Sequence, residues 1–296
     1  MKSSETVLFD FSWRGRILVT SNDRIDFLHR MLTQDISALK PGDCRRAMLL
    51  SPQGKCRADF RVFIMEDAVI LDVEPAYTVQ AMQALDAFII TEDVQLENVS
   101  SSWACISIEG PLSSKISKGP ETYPFGFSGE NGLCLFIPAN SATSIIENFL
   151  QKFPEIKPAG RDAYETRRIE NGVLRYGQDF DENVLLSETG LEALTVSETK
   201  GCYPGQEVVA RIAAYGGLKR ELVVLEIQGG KPAVSDLLWA DSQAVGKLTS
   251  VCLGLNSSAF FGIALLDKQF AGPSTVLPSH DPLNPWTARV TNKPVR

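Results

Sequence analysis

The segment Lys200-Gly-Cys-Tyr-Pro-Gly-Gln-Glu207 constrains the fold more than any other stretch, because turn formers, a thiol and charges are concentrated in eight positions. Gly201, Pro204 and Gly205 exclude a continuous helix or central strand through Cys202, since proline lacks an amide donor and glycine opens conformations closed to other residues. The chain must turn there. After the turn, Val208, Val209 and Ile212 recur at helical spacing, Glu207 and Arg211 stand four apart as an ion pair, and Gly216-Gly217 supplies a stop. Pro204 suits the first position of that helix, where no amide partner is needed. Cys202 is then expected just ahead of a helix N-terminus with Lys200 two residues away, and both a helix dipole and an ammonium lower a thiol's pKa. The competing reading is an inert buried thiol, because free cysteine is among the most buried residue types.

At 296 residues the chain is long enough for two or three domains and a sizeable core. A formal charge of −7 argues against a general nucleic-acid binder, which needs a basic face to displace counterions from phosphates. The first ten residues carry no signal-peptide core and no apolar run reaches membrane-spanning length, so the expectation is a cytoplasmic protein with no membrane partner. Its six cysteines form no C-x-x-C pair and there are only two histidines, a poor inventory for structural zinc or a permanent four-thiolate cluster.

Taken in order, Val7–Phe11 and Arg16–Thr20 read as strands, followed by a helix with Ile25, Leu28, Met31 and Leu32 on one face. Cys56, Ala58, Phe60, Val62 and Ile64 alternate with Arg57, Asp59, Arg61 and Phe63, which predicts a hairpin strand with one wet face. Val69–Val73, a helix opened by Pro75 and a strand near Val94–Val99 complete a β-α-β-β-α-β order. A second, looser pass has strands at Ala104–Ile108 and Leu133–Ile137, a short helix at Pro111–Ser117, and a helix at Ser141–Leu150 burying Ile145, Ile146, Phe149 and Leu150. Ala159–Glu170 reads as a helix ended by Asn171-Gly172. Four later strands, separated by Gly, Pro, Ser and Asn with no helical pattern, predict a small antiparallel barrel. The fold class is therefore α+β: two ferredoxin-like halves, 1–100 and 101–218, and a C-terminal β-barrel, 219–296.

Arg168-Ile-Glu170-Asn-Gly172 and Tyr176-Gly-Gln-Asp179 form a second constellation. Glu170 in the last turn of a helix meets the negative end of the dipole, so something else recruits it. One reading is a plain surface pair with Arg167 or Arg168. The other is a planar heterocycle with adjacent N–H donors, such as the pyrimidine edge of a reduced pterin, which a carboxylate engages through two charge-assisted hydrogen bonds.

Lys-Gly-Cys-Tyr-x-Gly-Gln-Glu followed by Val-Val-Ala-Arg resembles the signature of the YgfZ-like branch of the glycine-cleavage T-protein (aminomethyltransferase) family. Arg-x-Glu-x-Gly with Tyr-Gly-x-Asp is similar to the segment by which T-proteins hold tetrahydrofolate, and Glu170 falls on the family's pterin-binding glutamate. Leu32-Thr33-Gln34-Asp35-Ile36, Gln53-Gly54-Lys55 and Gly246-Lys-Leu-Thr-Ser250 also look family-like. The resemblance implies three domains around a central folate pocket, with tetrahydrofolate or a derivative as cofactor. Glu170, Arg168, Tyr176 and Asp35 are its binding candidates, and Trp13 and Tyr164 are aromatic candidates to pack on the folate rings, against the plainer reading of both as core.

T-proteins carry two adjacent aspartates in the strand after the landmark glycine, one of them the catalytic acid. Here Ala58 stands on the first and Asp59 on the second, so half the acid pair is missing. The resemblance accordingly implies a folate-binding accessory protein for iron–sulphur cluster assembly or repair, acting transiently on cluster-dependent enzymes or assembly factors, some of which modify tRNA. Cys202, Lys200 and Asp59 are the candidates for its chemistry. The alternatives are a tetrahydrofolate-dependent aminomethyltransferase, for which Asp35 or Asp59 has to serve as acid, and a non-catalytic folate-gated binding module.

Overall fold

The computed structural model describes residues 5–116, 119, 122–255, 257–292 and 294. The chain opens with strands β1 (Val7–Asp10) and β2 (Gly15–Thr20), helix α1 (Arg24–Met31), strands β3 (Cys44–Leu50), β4 (Cys56–Ile64) and β5 (Val69–Val73), helix α2 (Thr78–Asp86) and strand β6 (Gln95–Asn98). Strands β3-β4-β5-β2-β6 pair in that order, antiparallel throughout. Phe27 and Leu28 of α1 and Ala81 and Leu85 of α2 cover one face of this sheet, over Ile17, Phe60, Val62 and Leu71.

There follow β7 (Trp103–Glu109), β8 (Thr122–Tyr123), β9 (Gly132–Pro138), α3 (Ala142–Lys152), β10 (Lys157–Ala159) and α4 (Arg161–Glu170). The first strand of the chain belongs here: the second sheet runs β10-β1-β7-β9-β8, with β1 antiparallel to β7 and parallel to β10. Its inner face meets the uncovered face of the first sheet, where Phe63 and Ile70 pack with Phe9, Phe11, Cys105 and Phe136. The layers are helix, sheet, sheet, helix, because α3 lies over Leu8, Ile106 and Ile137 on the far side.

That layering overturns the expectation of a wet face on β4. Of its nine residues only Arg57 is exposed, and Asp59, Arg61 and Phe63 are buried by the second sheet. The period-2 pattern was real, but alternation cannot distinguish water from a second sheet that carries its own polar partners. Two smaller differences concern helices. The Pro111–Ser117 stretch makes only a 3₁₀ turn, Ser113–Lys115, with Ser117 outside the described residues. In α3, Ile146, Phe149 and Leu150 are partly buried while Ile145 is exposed.

Past α4, the short helices α5 (Leu186–Thr189) and α6 (Glu192–Thr195) lead to α7 (Gln206–Tyr215). Strands β11 (Arg220–Gly229), β12 (Leu237–Ala240), β13 (Gln243–Leu253), β14 (Phe260–Asp267), β15 (Val276–Pro278) and β16 (Trp286–Asn292) then form one antiparallel sheet ordered β12-β13-β14-β11-β16-β15. Edge strands β12 and β15 come together, so the sheet is nearly closed into a barrel around Val223, Leu248, Leu266 and Ala288. No described helix is long and apolar enough to cross a membrane.

Candidate functional site

Helix α7 begins at Gln206, with Gly205 as its N-cap at φ 82°, so Pro204 lies outside the helix rather than at its first position. Gly205 is required here: a Cβ would sit 2.5 Å from the carbonyl oxygen of Ser51 and 3.1 Å from Gly54 Cα. The turn Ser51–Gly54 and the turn before α7 are thereby pressed together, and Lys55 bridges Leu185. Two stretches far apart in sequence are one local structure. Glu207 and Arg211 make no ion pair with each other among the described residues.

Lys200 does not serve the thiol. Its ammonium is buried at the C-terminal end of α1, donating to the carbonyls of His29, Leu32 and Gln34. The first two are acceptors that the end of α1 leaves unpaired, at the negative pole of the dipole. Burial pulls the Lys200 pKa down to about 8, and Asp35 opposes the shift. Asp35 accepts hydrogen bonds from the Ser37 hydroxyl (2.8 Å) and the Ala38 amide (3.1 Å) and lies 3.1 Å from His29 Nδ1. The Ser37 bond leads the causes that hold its carboxyl below the ordinary range, so Asp35 is a poor proton donor. Thr33 and Gln34 fasten the neighbouring 194–197 segment through its backbone. The Leu32–Ile36 landmark is therefore the seat of the segment that leads into the cysteine turn.

Cys202 is the only exposed thiol: Cys44, Cys56, Cys105 and Cys134 are buried and Cys252 is half-buried. It precedes the start of α7 by four positions, beyond the first turn over which a helix dipole acts. The structure gives this sulphur exposure, while the Lys200 ammonium is engaged at the end of α1.

Glu170 ends α4 half-buried against the barrel. Its Oε1 accepts the Leu255 amide at 2.7 Å, and Oε2 has no partner among the described residues. The surface pair that is one reading of this glutamate is not among the ion pairs of the described residues, where Arg167 faces Glu130. Arg168 is buried and donates to Asp179 (2.9 Å), Glu165 (2.8 Å) and Ser250 Oγ (2.9 Å); burial works to lower its pKa, but the carboxylates of Asp179 and Glu165 raise it. Tyr176 is buried between Tyr77 and Phe180, and its hydroxyl donates to the Arg57 carbonyl at 3.0 Å. Tyr164 is buried among Phe9, Phe11 and Trp13. Trp13 stands at the rim of that cluster with the Arg161 guanidinium 4.1 Å from its ring centroid. Tyr164, Tyr176 and Arg168 are thus core and network residues; Glu170 and Trp13 keep a reachable surface.

Asp59 is fully buried and clamped by Arg46 Nε (2.9 Å) and Nη2 (2.8 Å) and by Arg61 Nη1 (2.9 Å). Burial pushes its pKa up, but Arg46 and Arg61 bring it below the ordinary carboxylate value. Beside this clamp is a cavity of about 540 Å³ between β3, β4 and the Pro124–Leu133 loop. A second, of about 620 Å³, lies between the 177–184 segment and the barrel. Cys202 and Glu170 line neither of these two. The 540 Å³ cavity was missed in sequence, although the Arg45-Arg46 pair and the glycine-rich Phe125-Gly-Phe-Ser-Gly-Glu-Asn-Gly132 run were its available signals. Among the described residues no group of three metal-ligating side chains converges.

Comparison with known proteins joins these parts. The GCVT N-terminal domain model matches residues 3–119 and 123–199. An aminomethyltransferase of Caldanaerobacter subterraneus subsp. tengcongensis is 28% identical over 89% of this chain and 78% of its own length. A chloroplastic protein of Arabidopsis thaliana, provisionally named a transferase, is 28% identical over 90% of this chain, which spans 66% of that protein. In three dimensions, the glycine cleavage system aminomethyltransferase T of Bartonella henselae superposes over 99% of this chain and 87% of its own with a TM-score of 0.86, at 18% identity. That agreement covers the paired sheets and the barrel alike, and the chain belongs to the GCVT N-terminal domain family.

Proposed function

We propose that this protein binds tetrahydrofolate or a derivative and acts on the one-carbon unit it carries, with aminomethyl transfer as the reaction. Membership of the family and the names of the relatives support this reading. The observation that carries it is Glu170: a half-buried carboxylate with one oxygen fixed by the Leu255 amide and the other without a partner among the described residues. Such a group is oriented to accept from the adjacent N–H donors of a pterin edge. Calorimetric titration with tetrahydrofolate tests it; Glu170→Ala is expected to weaken binding by about 1.5–3 kcal/mol, the range for hydrogen bonds to charged groups. Unchanged affinity removes Glu170 from the site.

Two observations favour a second reading, a YgfZ-like folate-dependent accessory role in iron–sulphur cluster assembly or repair. Asp59 is held ionised by two guanidiniums, so it donates no proton, and a missing positioned acid costs ~10²–10⁴ in rate. Cys202 is exposed on a turn, available for transient contact with a partner. Glycine-cleavage turnover separates the readings. Turnover that survives Cys202→Ser supports the transferase. Absent turnover, with cluster-dependent enzymes failing in cells that carry only Cys202→Ser, supports the accessory factor.

A further inference from the structure

Two buried thiols that the folate reading leaves unused touch each other. Cys105 of β7 and Cys134 of β9 bring their Sγ atoms to 3.2 Å, one thiol donating to the other, and neither residue is exposed. The ladder explains the meeting. Cys105 lies opposite Phe136 and Ser107 opposite Cys134, so the two cysteines are diagonal neighbours on one face of the second sheet. That face is turned toward the first sheet, and Phe9, Phe63, Ile70 and Phe136 belong to the same apolar cluster. Cys44 of β3 joins the cluster from the facing sheet but makes no hydrogen bond to either sulphur among the described residues.

The sulphurs of a disulfide stand about 2.0 Å apart, so roughly 1.2 Å separates this contact from a covalent bond. The product suits the site, because two weak S–H donors disappear from an apolar surrounding. In the folded protein the reaction is blocked. Burial pushes the Cys134 thiol well up, and a neutral thiol is not the nucleophile of disulfide exchange. The route to both sulphurs is open only before Phe63 and Ile70 of the first sheet close over β7 and β9.

We propose that Cys105 and Cys134 form a disulfide when the chain folds in an oxidising surrounding, and that the closing of the two sheets then seals the bond from reductants. The oxidant is a small disulfide of the glutathione type. One cysteine loses its proton to water and its thiolate attacks a glutathione sulphur, expelling one glutathione thiolate. The second cysteine, deprotonated in turn, attacks the protein sulphur of the mixed disulfide and expels the other. Two protein thiols become one disulfide, and their two electrons leave on two molecules of reduced glutathione, which take up the two protons. Whether the bond is present then records the redox poise in which the chain folded.

The test refolds the reduced, guanidinium-unfolded full chain in a mixture of oxidised and reduced glutathione. Remaining thiols are alkylated in denaturant and the unreduced peptides are mapped by mass spectrometry. One dominant protein disulfide is expected, Cys105 to Cys134. Dithiothreitol should spare it in the folded protein and reduce it in denaturant. The oxidised chain should melt several degrees above the reduced one, since a bond between positions 29 apart constrains the unfolded chain, and Cys134→Ser should show no such difference. The same mixture applied to folded, reduced protein should form the bond far more slowly. Recovery of Cys105 and Cys134 as alkylated thiols, a preferred bond between other cysteines, formation as fast in the folded protein as during refolding, or an oxidised chain that melts no higher overturns the proposal. The map of the wild type decides even if Cys134→Ser fails to fold.

Discussion

A carboxylate gripped by two guanidiniums is a structural anion, and Asp59 behaves as one. With its pKa below the ordinary value of about 3.9, its contribution to stability is complete above that pH and is lost as the pH falls through the lower folded value. Thermal melts from pH 6 to pH 3 should show the wild type losing stability at the acid end. Asp59→Asn should be less stable by about 3–5 kcal/mol at neutral pH, because two buried guanidiniums lose their counter-charge, and should show a flatter acid limb. At Cys202 access decides the chemistry. Brief iodoacetamide treatment followed by mass-spectrometric mapping should find this position modified ahead of the buried cysteines, and Cys202→Ser should remove most of the label. Identity at both residues was legible from motif, but environment was not. Lys200 stands two positions from Cys202 in sequence, yet its ammonium caps α1, because a helix end with unpaired carbonyls was folded against it from a segment some 170 positions earlier.

At the scale of elements, most strands and helices announce themselves in the sequence, and the failures have a common origin. The alternation in Cys56–Ile64 was correctly a strand, but whether Asp59 and Arg61 faced water depended on a sheet that includes the distant Val7–Asp10. Pro204 looked like the first helical residue because its ring suits that position. The deciding residue is Gly205, whose positive φ and contact with Ser51 start α7 where another turn meets it. Gly205→Ala should cost at least about 1–3 kcal/mol for the strained backbone, with the clash against Ser51 added. The denaturant midpoint would report it, and a midpoint unchanged from wild type would mean that the two turns separate freely. The cavity loop was unreadable for a related reason: Glu109 shapes it from the end of another strand, by four hydrogen bonds that no local pattern encodes.

On the scale of the whole molecule, a chain of buried and half-buried ion pairs runs through the places where the sheets meet. Asp72 of β5 holds Arg14, Arg14 holds Glu74, Glu74 holds Arg175, and Glu165 of α4 joins Arg175 to Arg168, which ends on Asp179. Ser250 and Thr249 of β13 in the barrel hydrogen-bond to that same Asp179. Removing one partner from such a network leaves uncompensated charge, so Arg168→Ala should cost about 3–5 kcal/mol. Because Arg168 ties α4 to the barrel, calorimetry of Arg168→Ala should resolve the barrel's unfolding as a separate, earlier transition; a single shifted peak would show that apolar packing alone couples them. Length gave a number of domains to expect but not this wiring, whose members lie in separate segments and look like ordinary surface charges when read singly. The opening strand carries a further consequence. Because Val7–Asp10 lies between β7 and β10, both made much later, a nascent chain emerging from the ribosome carries an apolar strand that cannot be sheltered until its neighbours arrive. Synthesis is thus the period when this protein most needs a chaperone, and cutting the chain between its two paired sheets would leave one fragment without the strand that joins β10 to β7.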